Sequence, residues 1–393
     1  MIDFQEVVVE QKGKSRLHEV LVDRIGTRGK ITFAEFMAAC LYEPGLGYYT
    51  SPGRKVGAEG DFYTSSNVHA VFGRLISREL CRMWENLGEP SGFSVVEVGA
   101  GGGRLARDIL DAIRELNPRC YDALTYRLIE KEPSLRSAQQ EILAAHPDKP
   151  AWSTPEELSA GSLRITGCIL SNELIDSFPT HVVEMTRAGL QEVYVTAVNG
   201  DLMEIADAPS TPEIEQYLQE DGVVLHEGQR AEVNLAALRW IEAAAAALER
   251  GFVLTIDYGY LADELYAPAR KNGTLLCYYR HTTEEDPYAR LGEQDITTHV
   301  DFTALSRGGE RAGLRTVWYG EQYRFLMGAG MMEEIMALEE RAGSEEERLK
   351  NRLALKKLIL PDGGMGDTFK VLVQAKGVAE PRLLCMRDWG SGF

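Results

Sequence analysis

The stretch VVEVGAGGGRL, Val95 to Leu105, constrains the fold of this chain more than any other. Four apolar-dominated residues read as a buried strand, and the glycines let the backbone turn sharply and approach a ligand. RLARDILDAIREL then follows with helical spacing from Arg104. A strand, a glycine turn and a helix in this order predict a parallel, helix-covered sheet. The helix start offers free N–H groups and a positive dipole end to whatever binds there. Two phosphate cradles are excluded by spacing. In G-x-G-x-x-G counted from Gly99 the third glycine would fall on Arg104, and no GK[ST] follows as a P-loop requires. What stands there is Glu97, then Gly99, Gly101 and Gly103. An acid at that point repels pyrophosphate and favours a ligand that carries a positive group.

The same alternation continues along the chain. FSVVEVG, LTYRLIE, ITGCILSNEL and FVLTIDYGY read as buried strands between helical segments, with FKVLVQAKG as a last strand. Glu130 closes the second of these strands, where an acid can accept hydrogen bonds from ribose hydroxyls. THVVEMTRAGLQEVYVTAVNGDLMEI instead predicts consecutive antiparallel strands joined by Ala-Gly and Asn-Gly turns. The helix in AEVNLAALRWIEAAAAALERG is expected to run to Gly251. The first 90 residues read as mostly helical, with a capping box from Thr32 to Glu35; a second box runs from Thr154 to Glu157. Between the N-terminal helices lies YEPGLGYYTSPGRKVGAEGDFYTSS, a long aperiodic stretch of a kind that tends to be functional.

Composition narrows the function classes. Forty-two Lys and Arg against sixty Asp and Glu give a net charge of −18, which excludes phosphate-backbone binding as the main activity. Six scattered cysteines form no CxxC pair and seven histidines form no HExxH, so neither a metal site nor a disulfide framework is expected. MIDFQEVVVE has no basic or Arg-rich pattern, and no apolar window reaches membrane length; together these predict a cytoplasmic protein without a membrane span.

A second candidate site follows the strand ending near Leu170. In a parallel sheet the carboxyl ends of adjacent strands share one crevice, so SNELIDSFPTH should face the same ligand as the glycine turn. It carries Asn172, Glu173 and Asp176. The two acids are three apart and would share a face of a helical turn, where they could hold a cationic acceptor by bidentate hydrogen bonds. The alternative is that Asp176 caps a helix and Glu173 is solvated.

The glycine turn with its leading acid is similar to the first motif of class I S-adenosylmethionine-dependent methyltransferases. The resemblance becomes specific when seven collinear segments are taken together: GDFYTSS, VVEVGAGGG, SNELIDSFPTHVVE, LTIDYGY, GTLLCYYRH, DITTHVDF and GMGDTFKVL. These resemble the MidA-type methyltransferases from about residue 17 to 377, a family that includes a mitochondrial arginine methyltransferase of complex I assembly. The resemblance implies an α/β, Rossmann-like seven-stranded sheet whose last strand is antiparallel. An N-terminal helical cap bearing the GDF loop would span 1–90. The core would span 91–393, with an antiparallel insertion at about 178–230 and substrate-side segments at about 258–310. It implies S-adenosyl-L-methionine as cofactor, held by Gly60, Asp61, Glu97, Gly99, Gly101, Gly103, Glu130 and Asn172, with no metal. Glu173 and Asp176 would be catalytic, and the acceptor an arginine on a partner protein. A small-molecule methyltransferase and a non-catalytic cofactor-binding assembly factor stay open as alternatives, as does a homodimer. The chain departs from the family at Ala100, where proline is usual, and at Ser66 and Asn67, where the family typically continues TSPE. Asp257, Tyr258, His281, His299 and Asp301 are weaker candidates for the crevice, Asp301 reading equally as a helix N-cap.

Overall fold

The computed structural model describes residues 15–51, 68–280, 282–360, 366 and 368–387. The chain enters through the helix Arg16–Arg28, the two-residue strand β1 (Ile31–Thr32) and the helix Phe33–Tyr42. Thr32 and Glu35 form the expected reciprocal cap, each side chain accepting from the other residue's N–H. The helix Val71–Asn86 leads into the central sheet.

That sheet contains β2 (Phe93–Val98), β3 (Leu124–Ile129), β4 (Pro150–Ser153), β5 (Ile165–Asn172) and β10 (Leu248–Tyr260), all parallel. The strand β16 (Phe369–Lys376) inserts antiparallel between β10 and β15 (Arg315–Glu321). The order is β15-β16-β10-β5-β2-β3-β4, with the two-residue β14 (Val300–Asp301) paired to the far end of β10. Period-two burial explains the layers. Phe93 and Val95 of β2 pack with Leu75, Leu105 and Ile109 on one face, while Val96 and Val98 pack with Ile241 and Leu305 on the other. The helix before β10 stops at Ala247, four residues short of the expected Gly251. Leu248 is already paired with Ile165, so strand pairing overrides the helical propensity of the alanine run.

A second sheet forms the expected antiparallel insertion: β6 (His181–Thr186), β7 (Gly189–Val198), β8 (Asp201–Asp207) and β9 (Arg230–Val233), with β1 added along β7. Asn199 and Gly200 turn between β7 and β8 at φ 54° and 82°, the mirror-image turn that Asn-Gly favours. A small third sheet holds β11 (Leu276–Tyr279), β12 (Thr282–Glu284) and β13 (Asp295–Thr297). One apolar cluster joins these parts: Leu21, Phe36 and Met37 of the N-terminal helices meet Val193 and Val195 of β7, Cys277 of β11 and Ile296 of β13. The described residues before position 90 thus divide between two layers. Residues 15–51 pack on the inserted sheets, and the helix Val71–Asn86 packs on the central sheet.

No helix among the described residues is long and apolar enough to cross a membrane. All six cysteines are buried and free. Among the described residues no group of three or more His, Cys, Asp or Glu converges as a metal site would need.

Candidate active site

The carboxyl ends of β2, β3, β5 and β10 lie side by side; β2, β3 and β5 each continue into a loop bearing one of the expected residues, and β10 carries Asp257 and Tyr258 near its own end. After β2 the backbone takes φ 79° at Gly99 and 50° at Gly101. The two glycines serve different needs. A Cβ on Gly99 would lie 2.9 Å from Leu174 Cδ1, so this residue is small because the SNELID loop packs against it. A Cβ on Gly101 would meet nothing within 4 Å among the described residues, so that side of the turn is open toward them. Gln139 steadies the turn by donating to the Gly101 carbonyl at 2.8 Å, and its own oxygen accepts from the Trp152 indole at 2.9 Å. Gly103, also at positive φ, starts the helix Arg104–Leu116 without a side-chain cap, leaving the first N–H groups for a ligand.

Glu97 does not project into the turn. It points into the core beneath it, is 3% exposed, and accepts the Tyr126 hydroxyl at 2.7 Å. Burial pushes its carboxyl from the ordinary 4.5 up to about 7. Glu130 is also buried at the end of β3; one of its oxygens accepts the Glu132 N–H at 2.9 Å, and burial raises its pKa. Gly60 and Asp61, the remaining cofactor candidates, lie outside the described residues, as does His281.

β5 runs two residues beyond the expected Leu170, to Asn172. Glu173 then adopts φ 52°, and only Ile175–Ser177 forms a short 3-10 turn. The shared helical face expected for Glu173 and Asp176 is therefore absent, because the chain leaves the sheet through a left-handed residue. Their charges are nonetheless neighbours. Asn172 Nδ2 donates to Glu173 Oε1 at 3.0 Å, while Asn172 Oδ1 and Ser171 Oγ are buried without a partner among the described residues. Asp176 is 6% exposed. Burial, followed by the charges of Asp257, Asp295 and Glu173, pushes its carboxyl far above the usual carboxylate range.

Four tyrosines surround this acid group. The Tyr42 hydroxyl donates to the Ser177 carbonyl at 3.0 Å, and the Tyr49 hydroxyl donates to Asp295 Oδ2 at 2.7 Å, their rings stacked 5.5 Å apart. Tyr258 and Tyr278 both have hydroxyls raised by burial and then by the nearby acids, Glu173 and Asp176 among them. Tyr278 stands opposite Asp295 in the β11–β13 pair. Sequence reasoning missed Tyr42, Tyr49, Tyr278 and Asp295 as site residues. The signal was present in the aperiodic YEPGLGYY stretch, but nothing local says that it folds back onto β13.

The weaker candidates resolve into distinct roles. Asp301 is the N-cap of the helix Phe302–Arg311, accepting from Thr303 and Ala304 N–H at 2.9 and 3.1 Å. The His299 ring stacks nearly parallel to Tyr258 at 6.3 Å, and burial lowers its pKa to about 4, so it is neutral at pH 7. Asp257 is fully buried and bonded to backbone N–H groups.

The strand order, with one antiparallel strand inserted next to the edge, and the glycine turn at the end of β2 define the S-adenosylmethionine-dependent methyltransferase fold. The residues fit that cofactor: among the described residues, open space lies at Gly101, and unpartnered buried oxygens lie at Ser171 and Asn172 on the same edge. The chain belongs to a family of S-adenosyl-L-methionine-dependent methyltransferases, whose model matches residues 75–320. The crystal structure of a COG1565 superfamily member from Burkholderia thailandensis, bound to S-adenosyl-homocysteine, is 30% identical. It superposes with a TM-score of 0.83, covering 94% of each chain. The Drosophila melanogaster mitochondrial protein arginine methyltransferase NDUFAF7 homolog is 27% identical over 95% of this chain and 88% of its own. The Homo sapiens mitochondrial protein arginine methyltransferase NDUFAF7 is 28% identical over 79% and 72%. The protein is thus an S-adenosylmethionine-dependent methyltransferase.

Proposed function

We propose that this enzyme methylates arginine side chains of a partner protein, with Glu173 and Asp176 receiving the guanidinium. The observation that carries the reading is Asp176, an almost fully buried carboxyl whose pKa is raised by burial and by three further acids. Such a cluster is costly until a cation completes it. A guanidinium has a planar fork of N–H donors that matches carboxylates two at a time, and it stacks on aromatic faces such as those of Tyr258 and Tyr278. Two relatives of this chain are named protein arginine methyltransferases, in keeping with that acceptor.

In this reading Gly60, Asp61, Gly99, Gly101, Gly103, Glu130 and Asn172 hold the cofactor, and Glu97 supports the turn from below. The cofactor supplies a methyl group on a positively charged sulfur. Glu173 and Asp176 fix the guanidinium so that its charge concentrates on the nitrogens they bind, leaving the target nitrogen more electron-rich. A bond from that nitrogen to the methyl carbon forms as the carbon–sulfur bond breaks, and one proton leaves the nitrogen for a carboxylate of the pair. Alignment of this kind supplies about 7–11 kcal/mol in well-oriented reactions. The described residues of 15–51, with the second and third sheets, form the acceptor side.

The relatives are named mitochondrial, which lends no support to the cytoplasmic setting expected from composition. The homodimer likewise draws no support from them, and the reading does not need it. The test is transfer of a labelled methyl group from S-adenosylmethionine to the protein fraction of a cell extract. Glu173→Gln and Asp176→Asn should each abolish it. Full activity in both variants would overturn the role given to the acids. Label confined to small molecules, or thermal stabilisation by cofactor without transfer, would overturn the acceptor.

A further inference from the structure

Asp257 ends the buried run of β10, and the reading above uses only its charge beside Asp176. Its side chain is fully buried, and both oxygens are engaged. Oδ2 accepts from the Leu174 N–H at 3.1 Å and the Ile175 N–H at 2.8 Å, and Oδ1 accepts from the Tyr258 N–H at 2.9 Å. One residue earlier, the Ile256 carbonyl accepts the Glu173 N–H at 2.9 Å. Residues 173–175 are therefore fastened to the end of β10 through three consecutive N–H groups. Glu173 needs such fastening, because a non-glycine residue at φ 52° is strained and persists only where its surroundings impose it. Leu174, held by the same carboxylate, is the residue whose methyl fills the space beside Gly99.

We infer that Asp257 is the positioning residue for the methyl acceptor: it fixes the backbone of Glu173–Ile175, aiming the Glu173 and Asp176 carboxylates at one guanidinium beside the glycine turn. This rests on the acceptor reading proposed above. Asp257 does not itself reach the acceptor, since its oxygens are occupied by backbone N–H groups. Two successive N–H groups converge on one oxygen of Asp257. A carboxylate accepts them on one atom and the Tyr258 N–H on the other. The same bonds offset the cost of burying this acid beside Asp176, and they oppose the rise that burial imposes on its pKa.

The test pairs a variant with a measurement on the unaltered enzyme. Asp257→Asn keeps the size but turns one acceptor into an amide N–H that meets a backbone N–H. Its kcat/KM for the protein acceptor should fall roughly tenfold or more, while its S-adenosylhomocysteine Kd stays within about twofold of the unaltered value. A kcat/KM unchanged from the unaltered enzyme overturns the inference. So does a cofactor affinity lost in the same proportion as kcat/KM, which marks general disruption. In the unaltered enzyme, amide exchange at Leu174 and Ile175 should be as slow as at the centre of β10, and fast exchange at both overturns the anchoring. If the unaltered enzyme methylates no arginine, the acceptor reading fails instead, and the exchange result still decides whether the loop is held.

Discussion

Replacing Glu97 with Gln separates an acid that serves as a charge from one that serves as a buried neutral group. In the folded protein the Glu97 carboxyl keeps its proton to about pH 7, because burial outweighs the Tyr126 hydrogen bond; in the unfolded chain it releases it near its ordinary 4.5. The folded state therefore holds more protons between these two values, and stability falls as pH rises through that window. At 1.36 kcal/mol for each pH unit, the loss from this group by pH 8 is at most about 3 kcal/mol. Gln cannot ionise, and its amide oxygen still accepts the Tyr126 hydroxyl. Glu97→Gln should thus match the unaltered protein near pH 4.5–5 and exceed it at pH 8, by up to roughly 5 °C in unfolding midpoint. Glu79 and Asp257, also raised to about 7 by burial, give the unaltered protein further slope of the same sign, so the variant removes one share of it. Calorimetric melts from pH 5 to 8.5 at constant ionic strength measure the difference. Equal slopes, or a variant less stable at pH 8, would mean that Glu97 is ionised beneath the turn, and the reasoning from burial would fail.

The other predictions concern the site and its supports. Gly101→Ala should fold, at a cost of about 1 kcal/mol for its positive φ, yet weaken S-adenosylhomocysteine binding, because the new methyl enters the open side of the turn; titration calorimetry checks this. The acceptor KM should rise as pH falls, because protonated Asp176 gives up the charge that attracts a guanidinium; a KM independent of pH would count against the acid group. Asp301→Ala should cost about 1–2 kcal/mol through loss of a helix cap while leaving kcat per folded molecule unchanged, as melts and steady-state rates will report.

Much of the core was legible because it depends on local signals. Strand periodicity, the glycine turn, Asn-Gly and the two capping boxes each act within a few residues, and each appears where expected. The SNELID loop was legible in its residues but not in its shape. Helical spacing from Glu173 to Asp176 is a local argument, and Asp257, more than eighty positions away, overrides it by capturing the Leu174 and Ile175 N–H groups. The tyrosine wall was illegible for the same reason: Tyr49 finds Asp295 only after the N-terminal helices and the third sheet share one core. Glu97 is legible as an acid next to the turn, but its direction, into the core and not into the turn, depends on which face of β2 it occupies. Phe93 and Val95 commit that face to the core, and Glu97 follows them in alternation.

The central claim is that the acids at the end of β5 select a guanidinium. Acid hydrolysis of protein labelled by the enzyme, followed by amino-acid analysis, tests this directly. The label should be recovered as methylated arginine, and Asp176→Asn should remove it. Label recovered as methylated lysine or histidine, or lost as a base-labile ester, would contradict it.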